Sequence, residues 1–158
     1  MSAPVKALAN SGESTNFNRV LANAPEILRS YKPLHESILG PGSLDKRIKI
    51  IAYLAASYAN ESPYEVAQFH ILALEHGFSE EDIRAIRMEQ NSVFSPLEHA
   101  AVKIARELTR TVTLDDIESS EVDVFSAEQL VELVAVVALA NFDNRFSNAL
   151  EIDQEPTH

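Results

Sequence analysis

The chain contains no cysteine, so it can form no disulfide and offer no thiolate nucleophile. Any chemistry it performs must use other groups. Four glycines and seven prolines among 158 residues are too few for a fibrous or low-complexity chain, and 46% apolar with 23% charged residues is ordinary for a globular one. The length suits a single domain with a real hydrophobic core. Cations are scarce: 13 Lys and Arg stand against 24 Asp and Glu, a net charge of −11. That balance argues against a nucleic-acid partner, because phosphate binding needs clustered Lys and Arg. The longest apolar stretch, residues 130–142, is interrupted by Glu132 and too short to span a bilayer, and residues 1–16 lack the apolar core of a signal peptide. No membrane partner is expected, and the expected compartment is the cytoplasm.

Alternating strand patterns are also scarce. From Asn16 onward apolar residues recur at three- and four-residue spacing, which predicts an all-α chain, a bundle of about six helices. Residues 16–152 are read as one domain, preceded by a flexible arm over 1–15 and followed by an acidic tail over 153–158. The first helical stretch, 17–39, breaks near Pro25 and ends at Gly40-Pro41-Gly42. A second covers 44–60 and should be central. Its opening run Asp45-Lys-Arg-Ile-Lys49 reads as a solvated helix start with some attraction for anions. Ser62-Pro-Tyr-Glu65 has the form of a capping box with proline at the first helical position, and predicts a third helix ending at Gly77. Ser79, Ser95 and Ser126 head similar starts for three more helices, ending near Glu89, Thr111 and Leu150. The last is apolar on nearly every side, so it belongs in the core or at a contact between copies of the chain.

The stretch Asn60-Glu-Ser-Pro-Tyr-Glu-Val-Ala-Gln-Phe-His-Ile-Leu-Ala-Leu-Glu-His-Gly77 resembles the signature helix of the carboxymuconolactone decarboxylase and alkylhydroperoxidase-D-like superfamily. Three further segments, 94–102, 125–133 and 141–150, agree with it in order and spacing, and the resemblance covers roughly 17–152. In peroxidase-type members it implies two cysteines activated by a Glu and a His. Aligned on Tyr64 and Gly77, the cysteine positions fall on Ser62 and Glu65, the His position on Phe69 and the Glu position on Ile50. A serine with no visible neighbouring base has no thiolate-like reactivity, which excludes a cysteine peroxidase or disulfide reductase.

What remains supplies the candidate site. His70, one residue beyond the family position and about 100° around the helix from it, is the candidate acid, with Glu65 and Tyr64 beside it as further catalytic residues. On a helical wheel His70 shares an arc with Val66, Ala73 and Leu74, so a buried histidine bonded to a neighbour is the alternative. Arg145, Tyr53 and Ser62 are the candidate substrate-binding residues. Arg145 follows three nearly uncharged turns and should need a carboxylate partner, for which Glu98 is the candidate. His35, His70, His76 and His99 show no metal-ligand spacing, so no metal and no cofactor is expected.

Two functions stay open. One is a cofactor-independent lyase or decarboxylase acting on a small acidic or lactone substrate, as the thiol-free branch of the resembled family implies. The other is a non-catalytic oligomeric binding or scaffold member. The resemblance implies a homo-oligomer, a trimer or hexamer, and the apolar last helix agrees with self-association.

Overall fold

A computed structural model describes residues 5–90 and 93–156. Its helices begin where short polar side chains can satisfy free backbone N–H groups. Ser79, Ser95 and Ser126 each accept from the N–H three residues on, and Asp82, Glu98 and Gln129 return the bond. Among the described residues there are eight helices and no strand: α1 (Asn16–Leu21), α2 (Pro25–Leu39), α3 (Lys46–Ala59), α4 (Pro63–Glu75), α5 (Glu80–Met88), α6 (Pro96–Thr111), α7 (Ser119–Val122) and α8 (Ala127–Ala149). The all-α expectation holds. The count exceeds six because Pro25 splits the first stretch into α1 and α2, and the connector before α8 carries the single turn α7.

Helix α3 is the axis of the molecule. Residues 48–57 are buried without interruption, so the helix is covered on every side, by α4, α5, α6 and α8. Its first turn overturns the expectation of a solvated start. Lys49 is 1% exposed, and its ammonium donates to the Ile38 and Gly40 carbonyls at 2.9 and 2.8 Å and pairs with Glu132 at 3.0 Å. The end of α2 leaves carbonyls with no intrahelical donor, and a lysine stem reaching inward satisfies them. Arg47 instead pairs with Glu98 at 2.6 Å and lies over the Phe78 ring. Glu98 is thereby occupied, and Arg145 is exposed and bonds to the Asn141 side chain, so the expected Arg145–Glu98 pair does not form.

The long helix α8 carries a polar row inside an apolar core. Asp143, Asn144 and Ser147 are buried and face α3 and α4, where Ser57 donates to Asn144 at 3.0 Å. Buried polar groups need partners, so this seam fixes the register of three helices. Residues ahead of α1 pack back onto it: the Leu8 N–H donates to Arg19 and Glu13 pairs with Lys32. The tail beyond α8 returns to the same place, where Glu155 accepts from the Asn16 N–H and from the Tyr64 hydroxyl, both at 2.6 Å.

Candidate functional site

Ser62 does head α4, but it makes no capping bond, and its buried hydroxyl has no partner. The expected Ser62–Glu65 capping box is therefore absent. Glu65 turns inward, because the core offers its carboxylate two hydroxyl donors: Ser147 at 2.7 Å and Tyr53 at 3.0 Å. Since Ser62 holds no cap, Ser62→Ala should change stability by less than about 0.5 kcal/mol, whereas Ser95→Ala should cost about 1 kcal/mol. Equal losses in a urea titration of the two variants would contradict this assignment.

The inward turn of Glu65 builds a compact acid–hydroxyl cluster. The Tyr53 hydroxyl lies 2.6 Å from Asp143 Oδ2 as well as 3.0 Å from Glu65 Oε2, and the Tyr31 hydroxyl donates to Asp143 Oδ1 at 2.9 Å. Tyr53 is fully buried, and the Phe69 ring is stacked on it, nearly parallel, with centroids 3.4 Å apart. Asp143 is 1% and Glu65 5% exposed.

Counting protons in this cluster has one outcome. A phenol carries a single hydrogen, so Tyr53 can donate to only one of its two carboxyl partners. The other short contact requires a hydrogen on the carboxyl itself. Burial, followed by the Glu65 charge, pushes the Asp143 carboxyl up to about 8. Burial also raises Glu65, opposed by the bonds from Ser147 and Tyr53. Two carboxyls joined through one tyrosine therefore retain a proton at neutral pH, as like-charged pairs in close contact do. Tyr53 and Tyr31 stay neutral donors, because burial and the two acids raise both phenols well above their ordinary range.

The cluster forms one wall of an open cavity of about 510 Å³ between α1, α2 and α4, which Tyr31, Glu65 and Asp143 all line. His35, its ring 5.4 Å from that of Tyr31, and Lys46 line the same cavity. Burial, then the neighbouring Lys46, lowers the His35 imidazole, so it is held neutral. Lys46 donates to the Leu39 carbonyl at 2.8 Å, and burial, then Lys49, lowers its ammonium.

The six predicted site residues do not converge. Tyr53 and Glu65 share the cluster. Tyr64 lines the same cavity, but its hydroxyl accepts from the Phe17 N–H at 3.1 Å and donates to Glu155, which ties the tail to α1. His70 and Ser62 lie on a different cavity, toward α5, where His70 is partly exposed and its Nε2 lies 3.1 Å from Glu80. The imidazole is thus neither packed in the core nor within reach of Glu65. Arg145 lines neither cavity. Sequence reasoning passed over Asp143, Tyr31 and Ser147. The available signal was Asp143 itself, the first acid after ten uncharged residues of α8, an acid that must be protonated or paired if that stretch is buried.

The family profile described as carboxymuconolactone decarboxylase family matches residues 25–107, just over half of the chain. The chain belongs to that family. Its fold is also that of a cysteine-to-alanine variant of the debrominase Bmp8 solved in complex with 2,3,4-tribromopyrrole, with a TM-score of 0.86 at 19% identity over 98% of this chain and 93% of that one. A protein of unknown function from Agrobacterium tumefaciens, a putative antioxidant defence protein AhpD, superposes with a TM-score of 0.80 at 18% identity, over 96% and 100% of the two chains. An uncharacterized peroxidase-related protein with an alkylhydroperoxidase AhpD core, from Ralstonia eutropha JMP134, gives 0.77 at 16% identity, over 88% and 76%. At such identities the likeness is one of fold. No curated protein sequence matches the chain.

Proposed function

We propose that this chain is a cofactor-independent acid–base enzyme, a lyase that decarboxylates a small carboxylated or lactone substrate in the cavity lined by Glu65 and Asp143. The observation that carries this reading is the single Tyr53 hydroxyl in contact with both the Asp143 and the Glu65 carboxyl, an arrangement that favours a proton on one of the two acids. Decarboxylation needs no thiol. When the carbon–carboxylate bond breaks, carbon dioxide leaves and its electron pair passes into a conjugated carbonyl of the substrate as an enolate. The enolate carbon then takes the proton of the Asp143 carboxyl, and solvent restores it. Lys46, which lines the cavity, can hold a carboxylate that remains on the substrate or its developing enolate oxygen, and neutral His35 can hydrogen-bond the carbonyl oxygen. The proposed compartment is the cytoplasm, whose reducing conditions suit a chain without cysteine; among the described residues no helix is long and apolar enough to cross a membrane.

The test is carbon dioxide release from a panel of β-keto acids and carboxylated unsaturated lactones. Wild-type turnover that falls at least about 100-fold in Asp143→Asn supports the acid role. A wild type that releases none, or a variant that keeps its rate, sinks it.

The alternative, a non-catalytic oligomeric member, has one observation in its favour. Ile50 and Phe69, at the positions of the family's Glu and His, are core residues at 1% and 7% exposure. In either case we propose self-association through the apolar groove between α2 and α8, where Ile27, Leu34 and Phe142 are 53%, 55% and 46% exposed. Light scattering should find a trimer or hexamer that Phe142→Glu breaks into monomers; a monomeric wild type refutes this.

A further inference from the structure

The largest cavity described, about 840 Å³, lies on the other side of α4, facing α5 and backed by α6. Its electrostatics run against those of the chain. In a protein of net charge −11, three of the 13 Lys and Arg side chains, Arg84, Arg87 and Arg106, converge on it, together with His70. Arg84 and Arg87 are exposed and stand three residues apart on α5, so both lie on one face. Among the described residues neither has a carboxylate partner, although Arg47, Arg106 and Arg110 nearby are each paired.

Two buried donors at this cavity also go unmet. Ser62 is fully buried and its hydroxyl has no partner. Arg106 is 7% exposed; its terminal nitrogens bond the Ile86 carbonyl at 2.7 Å, the Arg87 carbonyl at 3.1 Å and Glu89 at 3.0 Å, but its Nε has no partner. Folded proteins leave few buried donors unsatisfied, and two on residues that line the same cavity as Arg84 and Arg87 mark it as a place that lacks an acceptor. The acids on the wall do not fill that role. Glu61 makes no bond to any of these cations, and Glu80, 65% exposed, holds only His70 and can swing into solvent.

We propose that this cavity is a binding site for a small organic anion carrying a carboxylate or phosphate group, separate from the cavity at Glu65 and Asp143. The anion is gripped by Arg84 and Arg87, whose forked donors match either group, and it displaces Glu80 from His70. Ser62 and the first turn of α4 supply donors at the base of the site.

Calorimetric titration of the full chain with inorganic phosphate and with succinate, at matched ionic strength, tests the proposal and separates the two chemistries. One saturable site for at least one probe is expected, at least tenfold weaker in the Arg84→Gln/Arg87→Gln variant, with His70 ring resonances shifting during the wild-type titration. Both arginines are exposed, so the variant should fold as the wild type does. Asp143→Asn should bind with unchanged affinity, and Glu80→Gln more tightly. Absence of saturable binding by both probes, binding indifferent to the double variant, or loss of binding in Asp143→Asn would each overturn the assignment; the last would place the anion in the other cavity.

Discussion

Lys49→Ala is expected to lower the stability of the fold by about 3 kcal/mol, a fall in melting temperature of about 6–12 °C for a domain of this size. The loss has three parts. The ammonium donates to the Ile38 and Gly40 carbonyls, which close the end of α2, and their acceptors become orphans when it is removed. The four-carbon stem fills space at the head of the central helix, and alanine leaves a cavity there. Glu132 loses its cation, although the backbone N–H groups of Ser43 and Leu44 still hold it at 2.7 and 3.0 Å. Those bonds and Lys49 outweigh burial and keep the Glu132 carboxyl below its ordinary range. Glu132 can come so close only because residue 42 is glycine: a Cβ there would collide with the carboxylate. Lys49→Met, which keeps the volume and loses the donors, should recover part of the deficit in the same denaturant titration. A Lys49→Ala loss within about 1 kcal/mol would mean that solvent replaces the ammonium.

Lys49 also marks where reading the sequence failed. Three cations in four residues resemble a solvated helix start, and nothing local announces that carbonyls 9 and 11 residues earlier will want one of them. The helices themselves were legible, because caps are local: a serine and a Glu, Gln or Asp three residues later act within one turn. Ser62 and Glu65 have the same spacing and a different outcome. Two hydroxyls from α3 and α8, 12 and 82 residues away, take the Glu65 carboxylate, while the Ser62 N–H that a capping box would bond donates to the Ser57 carbonyl instead. The candidate site was legible in Tyr53, Glu65 and Tyr64, which lie in or next to the stretch that carries the family resemblance. Asp143 was not, because its partners Tyr53 and Tyr31 stand 90 and 112 residues away. His70 shows the limit of a helical wheel. The arc that it shares with Ala73 is the edge of the buried face, with Ala73 fully buried and Leu74 43% exposed, so the imidazole reaches the cavity beside α5.

Asp143→Asn is expected to abolish turnover while making the protein more stable at about pH 8 than the wild type, and this pairing separates a functional acid from a structural one. An unfolded aspartate titrates near 3.9, whereas in the fold burial and Glu65 push this carboxyl up to about 8. Between those values the folded state binds the extra proton, so stability is greatest below the unfolded pKa. It falls as pH rises, by at most about 1.4 kcal/mol per unit, and levels off above the folded pKa. Glu65, also raised by burial, adds a slope of the same sign, and the phenols of Tyr31 and Tyr53 remain neutral throughout. Asparagine keeps the shape, still accepts from Tyr31 and carries no titrating proton, so its advantage over the wild type should grow from about pH 5 to about pH 8. Urea titrations at the two pH values read this difference directly. If the asparagine variant is less stable than the wild type by the same amount at both, the carboxyl is ionised in the fold and cannot serve as the proton donor of a lyase.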